Sequence, residues 1–136
     1  MLDTLANVID EYEQLVGVSY ALFEGQQHFI TAIELRFTSL AFNLRAMADD
    51  DTLSVNSGEL LLESDETLVE VGNSDLWSPC ISGRIAWGWR LTNKQGYDDG
   101  LRLEINKPEE KLSTVVEFIV MASGIYVFSA KHHEAV

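Results

Sequence analysis

Three kinds of residue in this chain could carry out chemistry: carboxylates in runs, one thiol and three imidazoles. Asp98 and Asp99 are adjacent, follow Tyr97, and lie in a loop bounded by Gly96 and Gly100; paired carboxylates are a known means of acid and base work. Upstream, Trp87 and Trp89 offer indole faces on which a ligand could stack. If the chain holds a small-molecule or hydrolytic site, it is expected beneath the 96–100 loop, with Trp87, Trp89, Tyr97, Asp98 and Asp99 around it. The simpler reading of Asp98 and Asp99 is that they close local turns. Asp49-Asp50-Asp51 is a second carboxylate run, of the kind hard cations bind. The calcium-loop pattern requires a bidentate Glu at its twelfth position, however, and the twelfth residue from Asp49 is Leu60. A turn cap is expected there and no metal. Cys80, beside Trp77 and Pro79, reads as a buried apolar residue, since a nucleophilic thiol needs a base nearby. His28, His132 and His133 are distant from it in sequence. In an extended tail His132 and His133 would point to opposite sides and could not easily share one metal. No Ser-His-Asp order, Gly-rich phosphate loop, HExxH or CxxC spacing occurs, so no residue receives a catalytic assignment and no cofactor is expected.

The element that must position these residues runs from Gly83 to Asn106, GRIAWGWRLTNKQGYDDGLRLEIN. In its first arm Ile85, Trp87, Trp89 and Leu91 alternate with Arg84, Ala86, Gly88 and Arg90. In its second, Leu101, Leu103 and Ile105 alternate with Arg102 and Glu104. This is the period of a half-buried hairpin. Keeping the apolar residues on one face requires paired positions that sum to an even number. One such register sets Arg90 opposite Arg102; the other sets Arg90 opposite Glu104, a gain of up to ~1 kcal/mol, and is preferred. It pairs Trp89 with Ile105 and Leu91 with Leu103, and both tryptophans are then expected in the core. The segment Trp89 to Glu104, WRLTNKQGYDDGLRLE, resembles the central hairpin of a family of short, functionally uncharacterised bacterial proteins. The resemblance implies a bacterial cytosolic origin and supplies no activity or site residue.

The chain is long enough to form one domain, residues 1–136, with a real core and no need of disulfides. No run approaches the ~20 apolar residues of a membrane helix, and the start lacks a signal-peptide pattern, so a cytoplasmic protein with no membrane partner is expected. The net charge of −13 is unevenly placed. Residues 1–75 hold 15 acids against two bases, Arg36 and Arg45, whereas residues 76–136 hold seven of each. Such a surface repels nucleic acid and would steer basic proteins toward it.

In chain order, a helix is expected from Asp3 to about Gln14, with Leu2, Leu5, Ile9, Tyr12 and Val16 as its apolar stripe. Alternating strands follow over 18–23, 29–37, 40–47 and 53–56, then a strand pair over 60–63 and 68–71. The stretch 72–82, with Pro79, is an irregular connection. After the main hairpin, 115–122 and 124–130 form a last pair about a Ser123-Gly124 turn, dense enough in apolar residues to be buried on both faces. The fold class expected is α+β: an N-terminal helix on one curved, mostly antiparallel meander sheet of about seven to nine strands. For function, binding is expected rather than catalysis. The acidic first part, which resembles that of immunity proteins that neutralise secreted toxins, points to a basic protein partner. Exposed strand edges or the tryptophan face would be closed in a homodimer.

Overall fold

Alternation in the first half of the chain yields strands where it predicts them. The computed structural model describes residues 2–130; the Leu2 side chain, the tail 131–136 with His132 and His133, and the readings placed on them lie outside the described residues. Helix α1, Leu2–Asp10, carries Asp3 in its first turn and buries Leu5 and Val8. It ends earlier than expected because Tyr12 takes a positive φ of 52° and Gln14 already bridges to Arg84 as an extended residue. Tyr12 and Val16 are therefore exposed, outside the stripe. Strands β1 (Leu15–Phe23), β2 (Ile30–Phe37), β3 (Ala41–Met47), β4 (Thr52–Ser57) and β5 (Glu66–Glu70) form one antiparallel sheet, ordered β4-β3-β2-β1-β5. A second sheet takes β6 (Arg84–Thr92), β7 (Asp98–Asn106), β8 (Thr114–Met121) and β9 (Gly124–Ala130) in sequential order.

The expected single meander sheet is thus two sheets of five and four strands, sharing one core. Val18, Ile33, Leu35, Phe42 and Leu44 of the first face Leu101, Leu103, Val116 and Phe118 of the second, because each sheet has one apolar face and must bury it against another layer. The connection 71–83 carries the chain between layers. Trp77, 0% exposed, stacks on Phe118 with ring centroids 6.0 Å apart and donates its Nε1–H to the Tyr20 hydroxyl at 2.6 Å. Ser74 caps this segment by accepting from the Trp77 amide at 3.3 Å. Strands β8 and β9 are buried on one face only. Their turn is Ala122-Ser123, with φ of 51° and 68°, one residue earlier than expected and of the mirror-image type that matches strand twist.

The main hairpin departs from the expected register. Ile85 pairs with Ile105, but Trp87 pairs with Glu104, Gly88 with Leu103, Trp89 with Arg102 and Arg90 with Leu101, so Ala86 is the extra residue of a β-bulge. One inserted residue reverses the faces of everything after it. Trp87 and Trp89 consequently point outward, 58% and 38% exposed, and the expectation that they enter the core is corrected. The cause is local packing. A Cβ at Gly88 would run into the end of the Leu5 side chain of α1, so glycine at the inward position opposite Leu103 lets the helix press close without displacing Leu5, and the bulge delivers Gly88 to it.

Residues 60–63 are not a strand. Eight residues, Gly58–Asp65, link the edge strand β4 to the opposite edge strand β5, four strand spacings or ~19 Å away. Their extended reach is only ~26 Å, so they must run almost straight across the outer face of the five-stranded sheet. The side chains beneath receive this strap. Asn43 donates to the Gly58 carbonyl at 3.1 Å, Glu34 accepts from the Leu60 amide at 2.8 Å, and Arg45 donates to the Leu61 carbonyl at 3.1 Å. Arg45 also pairs with Glu66 at 2.7 Å, while Arg36 pairs with Glu34 at 2.9 Å and with Glu70, its guanidinium lying over Gly17. The Arg45 hydrogen bonds, aided by the Glu63 amide and Thr31, overcome burial and pull the Glu66 carboxyl down to about 2. Burial pushes the Glu70 carboxyl up, but the Gly72 and Val18 amides with Arg36 outweigh it and hold it below the usual range.

Two predictions follow from this packing. Gly88→Val should destabilise the fold by about 1–3 kcal/mol in denaturant unfolding, and adding Leu5→Ala should make the pair less than additive, because both act on one volume. For Glu66, whose side chain is 3% exposed, the lowered pKa adds up to ~3 kcal/mol that is fully present above pH ~4.5 and lost as pH falls toward about 2. Unfolding free energies of wild type and Glu66→Gln should therefore differ most near neutrality and converge across that acid window; a constant gap would contradict the assignment.

Candidate functional site

Because the bulge turns β6 over, the outer face of the four-stranded sheet collects side chains that alternation alone assigns to the interior. The registers of the three strand pairs set them in rows. One row reads Leu91, Gly100, Ile119, Tyr126; the next Trp89, Arg102, Glu117, Phe128; the third Trp87, Glu104, Val115, Ala130. Leu91 and Ile119 close over Gly100, where a Cβ would meet both. Trp87, Trp89, Tyr126 and Phe128 are exposed, with Met121 beyond them at the end of β8. At the centre, Arg102 donates from Nη2 and Nε to one oxygen of Glu117, at 2.6 and 3.1 Å, and its guanidinium sits 5.9 Å from the Trp89 ring centre. The charge is thereby neutralised within the face, and the indole is held by a cation–π contact. The exposed rings flank this charged centre from the two outer strands β6 and β9, and exposed apolar surface of this kind is often functional.

Of the five sequence candidates, the structure brings Trp87 and Trp89 together on this face. Tyr97, Asp98 and Asp99 stay with the hairpin loop. Asn93 organises that loop, accepting the Gln95 and Tyr97 amides at 2.9 and 3.2 Å. The Asp98 carboxylate accepts from the Thr92 hydroxyl at 3.0 Å and lies 3.6 Å from Arg90. Trp87 also lines a shallow cleft of ≈ 240 Å³ with Leu5, Ile9 and Asp10 of α1. Tyr126, Phe128 and Met121 are the face residues that sequence reasoning missed. Glu117 is the signal that could have found them: one charge in the middle of an apolar strand marks Val115, Glu117, Ile119 and Met121 as the outward set.

The other reactive groups are occupied or muted. Asp50 caps its own turn through the Thr52 amide and hydroxyl at 3.2 and 2.6 Å, and Asp51 accepts from the Ser123 amide at 2.8 Å, tying the β3–β4 turn to the β8–β9 turn. Burial pushes the Cys80 thiol up to about 11, so it is protonated at neutral pH and a poor nucleophile. A cleft of ≈ 380 Å³ beside the strap contains Arg45 and Glu66, but these two already satisfy each other. Among the described residues, no group of three or more His, Cys, Asp or Glu is placed to hold a metal ion. No helix among the described residues is long and apolar enough to cross a membrane.

The class these features define is a two-layer antiparallel sandwich with a short N-terminal helix, one outer face strapped and the other open and aromatic. Residues 1–134 match the sequence model of a family of unknown function (DUF6334), and the chain belongs to that family. No curated protein and no solved structure matches it.

The two kinds of tryptophan should separate in stability measurements. In dilute solution Trp77→Ala should cost about 3–5 kcal/mol, as for a large buried aromatic, whereas Trp89→Ser should stay within ~1 kcal/mol. Comparable losses at both positions would place Trp89 in the core after all.

Proposed function

We propose that the protein is a non-catalytic binding module of the bacterial cytoplasm whose acidic layer receives a basic protein partner. One observation carries this reading. The two cations of residues 1–75, Arg36 and Arg45, are both engaged inside the five-stranded layer by Glu34, Glu70, Glu63 and Glu66. The exposed acids of the same half, among them Asp10, Glu11, Glu24, Asp49, Asp50 and Glu59, therefore face solvent without a cation of their own half to offset them. A concentrated negative field of this kind accelerates encounter with a basic surface and rejects acidic ones. The buried, protonated Cys80 and the internally satisfied carboxylates are consistent with a scaffold rather than a reaction centre. No specific observation favours the alternative, a ligand or hydrolytic site beneath the 96–100 loop, since Asp98 is engaged by Thr92 and Arg90.

The test is affinity capture from cell lysate with the full chain as bait, in parallel with a variant carrying Asp10→Asn, Glu11→Gln, Asp49→Asn and Asp50→Asn. A basic protein held by wild type should be released as salt rises and be held weakly by the variant. Equal capture by the two baits, or none that depends on salt, would overturn the reading.

A further inference from the structure

The open aromatic face lies on the other layer from the acidic one, and it needs a different occupant. An anionic membrane or nucleic acid would be repelled by a chain of net charge −13, and a strongly basic partner finds Glu117 already paired with Arg102. Self-association faces the same repulsion everywhere that the acids of residues 1–75 dominate. It is relieved only on the second layer, where acids and bases of residues 76–136 are equal in number. The face itself presents Arg102 and Glu117 at its centre, with the Glu104 carboxylate accepting from the Ser113 hydroxyl at 2.6 Å.

The order of residues across the face is also self-complementary. The central row reads Trp89, Arg102, Glu117, Phe128 from β6 to β9. A two-fold axis parallel to the strands and midway between β7 and β8 reverses that row in the opposing molecule. Trp89 then meets the partner copy's aromatic edge at Phe128, and each cation at Arg102 meets the carboxylate at Glu117. The row above sets Leu91 against Tyr126 in the same way, and the row below sets the large Trp87 against the small Ala130. Sheets packed face to face stay within ~30° of alignment, which keeps the central row in contact while the outer rows fan apart. We propose that the occupant of this face is a second copy of the chain, in an isologous dimer with its two-fold axis along β7 and β8. A second copy brings the same aromatic surface, in which Arg102 and Glu117 offset each other and Glu104 is the one further charge of the three rows, set at their lower edge beside Ser113.

The geometry predicts a pairing that no other arrangement shares. Trp89 and Phe128 are separated by two strands within one chain, so they meet only across the interface. In the full chain, sedimentation equilibrium should show a concentration-dependent dimer that strengthens as salt rises, the opposite of the salt response of a basic partner on the acidic layer. Trp89→Lys and Phe128→Glu alter exposed side chains, so each should keep the wild-type circular dichroism and be monomeric. Mixed in equal amounts, they should recover a heterodimer, with Lys-for-Trp facing Glu-for-Phe on one side and the unaltered Trp89 and Phe128 facing each other on the other. A wild-type chain that stays monomeric at all concentrations, whether or not it binds vesicles or lysate proteins, would overturn the proposal. So would single variants that remain dimeric, or a mixture that fails to recover a dimer.

Discussion

The contact between Leu5 and Gly88 decides which way the four-stranded sheet presents its largest side chains. Helix α1 is short, has no cation in its last turn, and would be marginal alone; its stability comes from pressing Leu5 and Val8 into the open side of the sandwich. That docking leaves little room for a large side chain opposite Leu103. Strand β6 then has two options: place a tryptophan into the helix or shift by one residue. The bulge at Ala86 takes the second course and sends two indoles into solvent. A locally unfavourable surface is thus the consequence of a favourable helix contact some 80 residues away in sequence.

The two outer faces solve opposite problems. On the five-stranded sheet Ser19, Glu34 and Asn43 are buried although polar; the strap covers Glu34 and Asn43, and Arg36 with Glu70 covers Ser19. Burying the Glu34 carboxylate costs several kcal/mol unless it finds partners, and the partly covered Arg36 and the Leu60 amide supply them. No buried side-chain nitrogen or oxygen among the described residues lacks a partner. The straight path of the strap also explains the exposure of Leu61, which has no layer beneath it to enter. The four-stranded sheet has no such cover. Its Arg102–Glu117 pair is a single isolated bridge between half-exposed side chains, worth little by itself in water, and it leaves the surrounding rings open.

Much of the fold was legible in the sequence, and the losses have specific causes. Alternation and apolar density together located all nine strands to within about three residues and added a false one at 60–63. Alternation reports only that a strand has one apolar face; it is silent on which strands share a layer, so one sheet was expected where Trp77 and Cys80 carry the chain to a second. The leucines at 60–62 imitate a strand because they are apolar and consecutive, yet the Leu60 amide is spent on Glu34 and the Leu61 carbonyl on Arg45. The candidate site was half legible. Trp87 and Trp89 drew attention by type, but their direction depended on a bulge whose cause, Leu5, lies in another element. Tyr126 and Phe128 were hidden by the apolar density of their own strand.

Most of the unpaired acids belong to the first half of the chain and the exposed rings to the four-stranded layer, with Asp10 of α1 reaching the cleft beside Trp87. The five-stranded layer keeps its cations for internal use, so its exterior is acidic and resists contact with anything acidic, including another such layer. The four-stranded layer is balanced in charge and carries the exposed rings. Long-range repulsion among acidic halves therefore acts as an orienting force: it penalises every approach of two like molecules except the one that keeps the acidic halves farthest apart. That approach is the one in which the aromatic faces meet. In the proposed dimer the unfavourable charge contacts exclude the alternative approaches, and the rings have only to hold the arrangement that remains.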